Sequence, residues 1–240
     1  MVATADLNER GRPTVAVTPT IYIVASDQHR NGKTLLARLL VDYLMLDGRD
    51  PFIIDTDAPD GPLRNYFPGR TALADFAAIT GQMKLFDTVL AAPGRDYVID
   101  LPVRHMENFF AAERDLGFFK ECKVAGFRIF LFFIVDNTFT SLKLAKAMQF
   151  NSVVDLFVPV RNQLVRSTWP EGDGALTLPY LPAPIASAIS NKRFSLRAFV
   201  QGDSQGLGED MVPQLQNFLY EMLNNLSDLE PLLSLKSLKQ

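Results

Sequence analysis

The chain has 240 residues, 48% of them hydrophobic, which suits one α/β domain with a sizeable core. Its net charge of −3 supplies no general attraction to nucleic acid or acidic lipid. One cysteine and two histidines exclude an internal disulfide and a thiolate metal cluster, argue against a zinc site, and fit a reducing, cytoplasmic setting.

Residues 1–18 are polar, with charges and proline but no apolar middle, and read as a loose N-terminal arm. Thr20 to Ala25 is an apolar strand, and it runs through Asn31-Gly32-Lys33-Thr34 into a helical stretch from Leu35 to Leu46. Pro51 to Asp55 is a second strand. Thr71 to Ala78 and Leu85 to Leu90 read as short helices, Tyr97 to Asp100 as a third strand, and Met106 to Leu116 as a helix. Phe127 to Val135, apolar apart from Arg128 and rich in aromatic and β-branched residues, has the composition of a buried central strand. A helix over Thr138 to Phe150, a strand over Val153 to Val160 and a last helix over Met211 to Leu226 complete the pattern. No apolar run approaches the ~18 residues of a membrane span.

Strands alternating with helices, and apolar on both faces, predict a mainly parallel, doubly wound sheet flanked by helices over residues 19–228. Every strand then ends at one edge of the sheet, where ligands of such folds bind. The chemistry-bearing residues gather at those ends. The first strand leads into Gly32-Lys33-Thr34, the second ends in Asp55-Thr56-Asp57, the third in Asp100, and a late one near Asn162.

A strand turning through Gly-Lys-Thr into a helix is the plan of a phosphate cradle. Backbone N–H groups from Arg30 to Leu35 and the positive helix end would hold the anion, Lys33 would meet the terminal phosphates, and the Thr34 hydroxyl could ligate Mg²⁺. Asp55 and Asp57, two apart, would share one face of an extended strand; with a turn between them, one could face a metal and the other an attacking water. The bland reading is that an Asp at a strand end caps the next turn.

Gly-Lys-Thr, then Ile-Asp55-Thr-Asp57, then Val-Ile-Asp100-Leu-Pro resembles the ParA/MinD group of deviant-Walker P-loop ATPases. Val158-Pro-Val-Arg-Asn162 resembles the strand ending in that family's adenine-reading Asn, and Leu178-Pro179-Tyr180 the short element beside the base. The resemblance implies ATP and Mg²⁺ as cofactors. Lys33 would lie on the β- and γ-phosphates, Thr34, Asp55 and Asp100 around the metal, Asp57 at the hydrolytic water, and Asn162 and Pro179 at the base. It also implies a homodimer closing around ATP and acting as a switch that positions or assembles a cargo: a plasmid, a division component or a secretion complex.

The family loop reads Lys-Gly-Gly-x-Gly-Lys-Thr; here Gln28 stands for the first Lys, and His29 and Arg30 for two glycines. Asp27 occupies the place of a standard P-loop's first glycine and adds negative charge. Arg30 could replace the missing cation, in cis or across a dimer. The rival readings are a scaffold that keeps the fold without hydrolysis, and a small-molecule kinase or ligase of the same superfamily.

His29 reads as a polar loop residue, His105 has no assigned role, and Cys122 reads as an inert thiol. Phe109, Phe110, Phe118 and Phe119 read as core, with a docking patch as the alternative. DNA contact would rest on Lys192, Arg193 and Arg197, although the overall acidity favours a solvated face. Residues 229–240 form a tail, which beyond Pro231 alternates leucine with Ser or Lys. They could be a short membrane-contacting helix, but two lysines pull weakly on lipid, which favours a frayed end or a protein contact.

Overall fold

A computed structural model describes residues 18–151, 153–172, 174–191 and 194–229. The expected arm over 1–18 and tail over 229–240 therefore fall almost wholly outside the described residues, as do Lys192 and Arg193.

Seven parallel strands form one sheet in the order β3-β2-β4-β1-β5-β6-β7. They are β1 (Thr20–Ala25), β2 (Phe52–Asp55), β3 (Thr71–Leu73), β4 (Tyr97–Asp100), β5 (Arg128–Val135), β6 (Leu156–Asn162) and β7 (Leu176–Leu178). The helices are α1 (Lys33–Leu46), α2 (Pro62–Tyr66), α3 (Ile79–Leu90), α4 (Val103–Leu116), α5 (Phe118–Val124), α6 (Phe139–Asn151), α7 (Ala183–Ile189), α8 (Leu196–Val200) and α9 (Val212–Ser227). Among the described residues no helix is long and apolar enough to cross a membrane.

The period of two in β1 shows how one sheet carries two cores. Tyr22 and Val24 join the core beneath α1, α7, α8 and α9, while Ile21, Ile23 and Ala25 join the one beneath α3, α4, α5 and α6. Phe109, Phe118 and Phe119 lie buried in the second core, with Phe86 stacked on Phe118 at 3.9 Å between ring centres. Cys122 is there too; burial raises its thiol pKa to about 12, so it stays protonated.

The helix expected over Thr71 to Ala78 is not formed. Thr71–Leu73 is an edge strand paired with Ile53, Ile54 and Asp55, and the chain then loops to α3. The Ala-rich composition favoured a helix locally, but the open edge of β2 offers a row of backbone partners that outweighs so weak a preference. Boundaries also move: the helix expected over Leu85 to Leu90 begins at Ile79, α4 begins at Val103 rather than Met106, and the strand expected over Val153 to Val160 runs from Leu156 to Asn162.

α1, which carries the Gly-Lys-Thr loop, is fixed in place by a buried cation. Arg38 donates to the carbonyl oxygens of Ile189, at 2.7 Å, and Phe194, at 2.5 Å, and lies 4.0 Å over the Tyr66 ring. Asp42, one turn on, is buried beside it; burial pushes its pKa up to about 6, opposed by the positive charges of Arg38 and Arg197. Arg38→Met is expected to cost ~3–5 kcal/mol in urea unfolding, because it strands two buried carbonyls and a buried carboxyl.

Candidate functional site

The edge at which the strands end brings most of the expected residues together. Asp55 and Asp100 are register partners on β2 and β4, and Asp100 in turn pairs with Val24 of β1, just before the loop. From Ser26 to Gly32 the chain arches over this edge. Arg30 (φ 55°) and Gly32 (φ 98°) both take left-handed backbone conformations, and α1 starts directly after.

The loop offers donors with nothing to donate to. Among the described residues, the backbone N–H groups of His29 through Leu35 make no hydrogen bond; the first paired amide is that of Leu36, to Gly32 O at 2.9 Å. Such a run of free amides at a helix start is an anion-binding arrangement. The Lys33 ammonium meanwhile bonds the Gln28 carbonyl and lies 3.3 Å from Asn31 Oδ1. Burial lowers its pKa, and the charges of Asp100, Asp27 and Asp57 raise it in opposition. Arg30 is exposed and makes no hydrogen bond or ion pair with any described residue.

Asp27 is turned to a structural task. Its carboxylate accepts from Ser141 Oγ at 2.7 Å, and the same oxygen accepts from the Asp136 amide at 3.0 Å. The acid at the glycine position thus ties the loop to the start of α6. Behind the loop, Asn162 is buried; its Nδ2 donates to Asn31 O at 2.7 Å, and its Oδ1 accepts from the Leu164 amide at 2.9 Å. Both polar atoms of the residue aligned with adenine recognition are therefore engaged by backbone. Pro179 is buried next to Leu178, whose side chain closes on Gly32.

The acidic residues divide by what holds them. Thr34 Oγ1 donates to Asp100 Oδ2 at 2.7 Å. Burial pushes the Asp100 pKa up to about 7; the Thr34 bond and Lys33 oppose the rise, and Asp55 and Asp57 add to it. Asp55 is fully buried and accepts from the amides of Asp57, at 3.0 Å, and Leu63, at 2.9 Å. It shapes the turn after β2, the bland role of a strand-end acid. Asp57 is half-buried, and the Arg104 guanidinium lies 2.5 Å from its Oδ1 while directing an N–H to the Ala58 carbonyl at 3.1 Å.

Arg104 was not expected here. Its only signal in the sequence is its place four residues after Asp100, at the start of the helix that follows that strand. Its Nε donates to His105 Nε2 at 3.1 Å, and the buried His105 Nδ1 has no partner among the described residues. Burial and the neighbouring Arg104 charge hold the His105 pKa below its ordinary value.

Free loop amides, a Lys beside them and a Thr–Asp pair beneath fit a polyphosphate with a hydrated divalent cation. No cluster of three His, Cys, Asp or Glu that could hold a metal directly occurs among the described residues. A cation at Thr34 would therefore be held partly by its ligand, as suits Mg²⁺.

Fold and site together define a parallel α/β protein with a strand–loop–helix anion cradle. No family model matches the sequence, and no curated protein matches it. Among solved structures the chain is similar to a nucleotide-binding protein in complex with ADP from Archaeoglobus fulgidus. The TM-score is 0.47, with 11% identity over 73% of this chain and 87% of that one. It is also similar to a ParA family ATPase from Chlorobium tepidum TLS, with a TM-score of 0.43 and 13% identity over 83% of this chain and 98% of that one.

Proposed function

We propose that the chain binds ATP with Mg²⁺ at the carboxyl edge of its sheet and uses the bound state as a dimeric switch that positions or assembles a cargo. The run of amides from His29 to Leu35 that find no partner among the described residues carries this reading, because successive free donors at a helix start fit a polyanion. In the complex these amides would bind phosphate oxygens, and the Lys33 ammonium would exchange the Gln28 carbonyl for the terminal phosphates. Thr34 and Asp100 would hold the cation, Asp100 through water. Mg²⁺, when bound, supplies charge neutralisation and orients the phosphates. Arg30, exposed and without a partner among the described residues, stands where a cation could reach the nucleotide in cis or from a second protomer.

Asp57 would orient the attacking water. Its contact with Arg104 favours a second reading, in which nucleotide is bound and not turned over: a carboxylate oxygen already held by a guanidinium is not free to accept from an attacking water. Asp55, occupied by two amides, supports the loop in either case.

Titration calorimetry with ATP and Mg²⁺ tests binding. Lys33→Ala is expected to weaken it about 10–100-fold, the loss of one charge-assisted contact of ~1.5–3 kcal/mol. Unchanged affinity in that variant, or no uptake by the wild type, sinks the proposal. Phosphate release then separates the two readings: turnover lost in Asp57→Ala supports the ATPase, and none in the wild type supports the scaffold. ATP-dependent sedimentation reports the dimer.

A further inference from the structure

A cavity of 980 Å³ lies on the face of the sheet opposite α1, between α4, α5 and α6, and none of the cradle residues lines it. Phe119 and Leu131, both buried, form its floor, and Leu144 and Met148 of α6 one wall. At its mouth Val124 is 78% and Val153 57% exposed. An apolar trough of this size open to water costs free energy that a partner would recover.

Its charges point to the occupant. Arg114, Lys120 and Lys123 line it, against one carboxylate, the buried Glu113, in a chain whose net charge is −3. Lys123 is bridged to Asp155 at 2.9 Å; Arg114 and Lys120 are exposed, and Lys120 makes no ion pair among the described residues. We propose that this groove docks an amphipathic helix of a partner protein, with leucine-like residues entering the trough and acidic residues meeting Arg114 and Lys120.

Other occupants fit less well. A second copy docked through the same face would set cations against cations. Residues 229–240 carry Lys236 and Lys239 against Glu230, a net charge of the wrong sign, and α9, from which they continue, packs on the opposite face. Residues 1–17 hold Asp6 and Glu9 but also Arg10 and Arg12, so they bring no net attraction. A third helix, by contrast, suits a trough walled by α4 and α6, which are 14 and 13 residues long. Three to four turns would span it, with anchors at i, i+3, i+4 and i+7.

The test uses two synthetic helical peptides with one leucine frame, one carrying glutamates on its flanks and the other lysines. Binding is read on the full chain by fluorescence anisotropy and by the Met148 methyl resonance, assigned with Met148→Leu. The glutamate peptide should shift that methyl and bind about tenfold tighter than the lysine peptide, two or three exposed charge pairs at up to ~1 kcal/mol each. The preference should shrink with salt and reverse in Arg114→Glu/Lys120→Glu, whose exposed positions leave the fold intact by circular dichroism. Equal binding of the two peptides, or an unmoved Met148 methyl, overturns the proposal. So does a methyl shift that follows dilution of the free protein or removal of residues 1–17, since either would give the groove to another occupant.

Discussion

Gly32→Ala is expected to lower the unfolding temperature by about 5–15 °C, the counterpart of ~2–4 kcal/mol in a chain of this size. Two costs add. The backbone at φ 98° is one that a residue with a Cβ adopts only at ~1–2 kcal/mol. The new Cβ would also stand 2.9 Å from Asn162 Nδ2 and 3.2 Å from Leu178 Cδ2. The Asn162 amide would have to retreat, leaving the Asn31 carbonyl without its donor at a further ~1–3 kcal/mol. Gly48→Ala is the control: its φ is 81°, but a Cβ there meets open space, so only the backbone cost remains. The second term predicts non-additivity. Once Asn162→Ala has removed the obstructing amide, adding Gly32→Ala should cost ~1 kcal/mol less than it does alone. Full additivity would mean that Asn162 does not hold the loop.

That contact also marks where sequence reasoning stops. β1, β4 and β5 were legible because strands buried on both faces are written as apolar runs, and α1 because its leucines recur at helical spacing. Gly32, Lys33, Thr34 and Asp100 were legible because strand, turn and helix place them without help from elsewhere. Thr71 to Leu73 was misread because its strand character belongs to the pairing with Ile53 to Asp55, not to its own residues. β7, with three residues, is too short to show a period. Within the site, Asp27 looked like a charge opposed to phosphate; its partner Ser141 lies 114 residues away, and nothing local announces it. Asp57 and Arg104 meet for the same reason, as two strand ends brought side by side. Asp55 shows the converse: acids at strand ends look alike in sequence, and only the backbone around them separates a ligand from a cap.

Asp100→Asn should stabilise the ligand-free protein at pH 8 while weakening Mg²⁺-dependent nucleotide binding. The folded Asp100 carboxyl has a pKa near 7 where the ordinary value is 3.8, because burial opposes its charge. Between these two values the folded state keeps a proton that the unfolded state releases. The stability linked to this proton is thus fully present below pH 3.8 and is lost as pH rises through about 7. The whole shift, with the Thr34 bond and Lys33 already counted in it, corresponds to at most about 4 kcal/mol; relaxation and water around the ionised carboxyl reduce this, so ~1–2 kcal/mol is expected. Asparagine keeps the shape without the charge. Its unfolding temperature should therefore exceed the wild type's by about 2–8 °C at pH 8 and match it near pH 4. Comparing variant with wild type cancels the titration of groups not coupled to Asp100, such as Asp42. Calorimetry of the same variant should show ATP affinity that no longer responds to Mg²⁺, because a carboxylate held ionised against its burial is what a cation at Thr34 would meet. A variant no more stable at pH 8 than at pH 4, relative to wild type, would show that Asp100 carries no such strain.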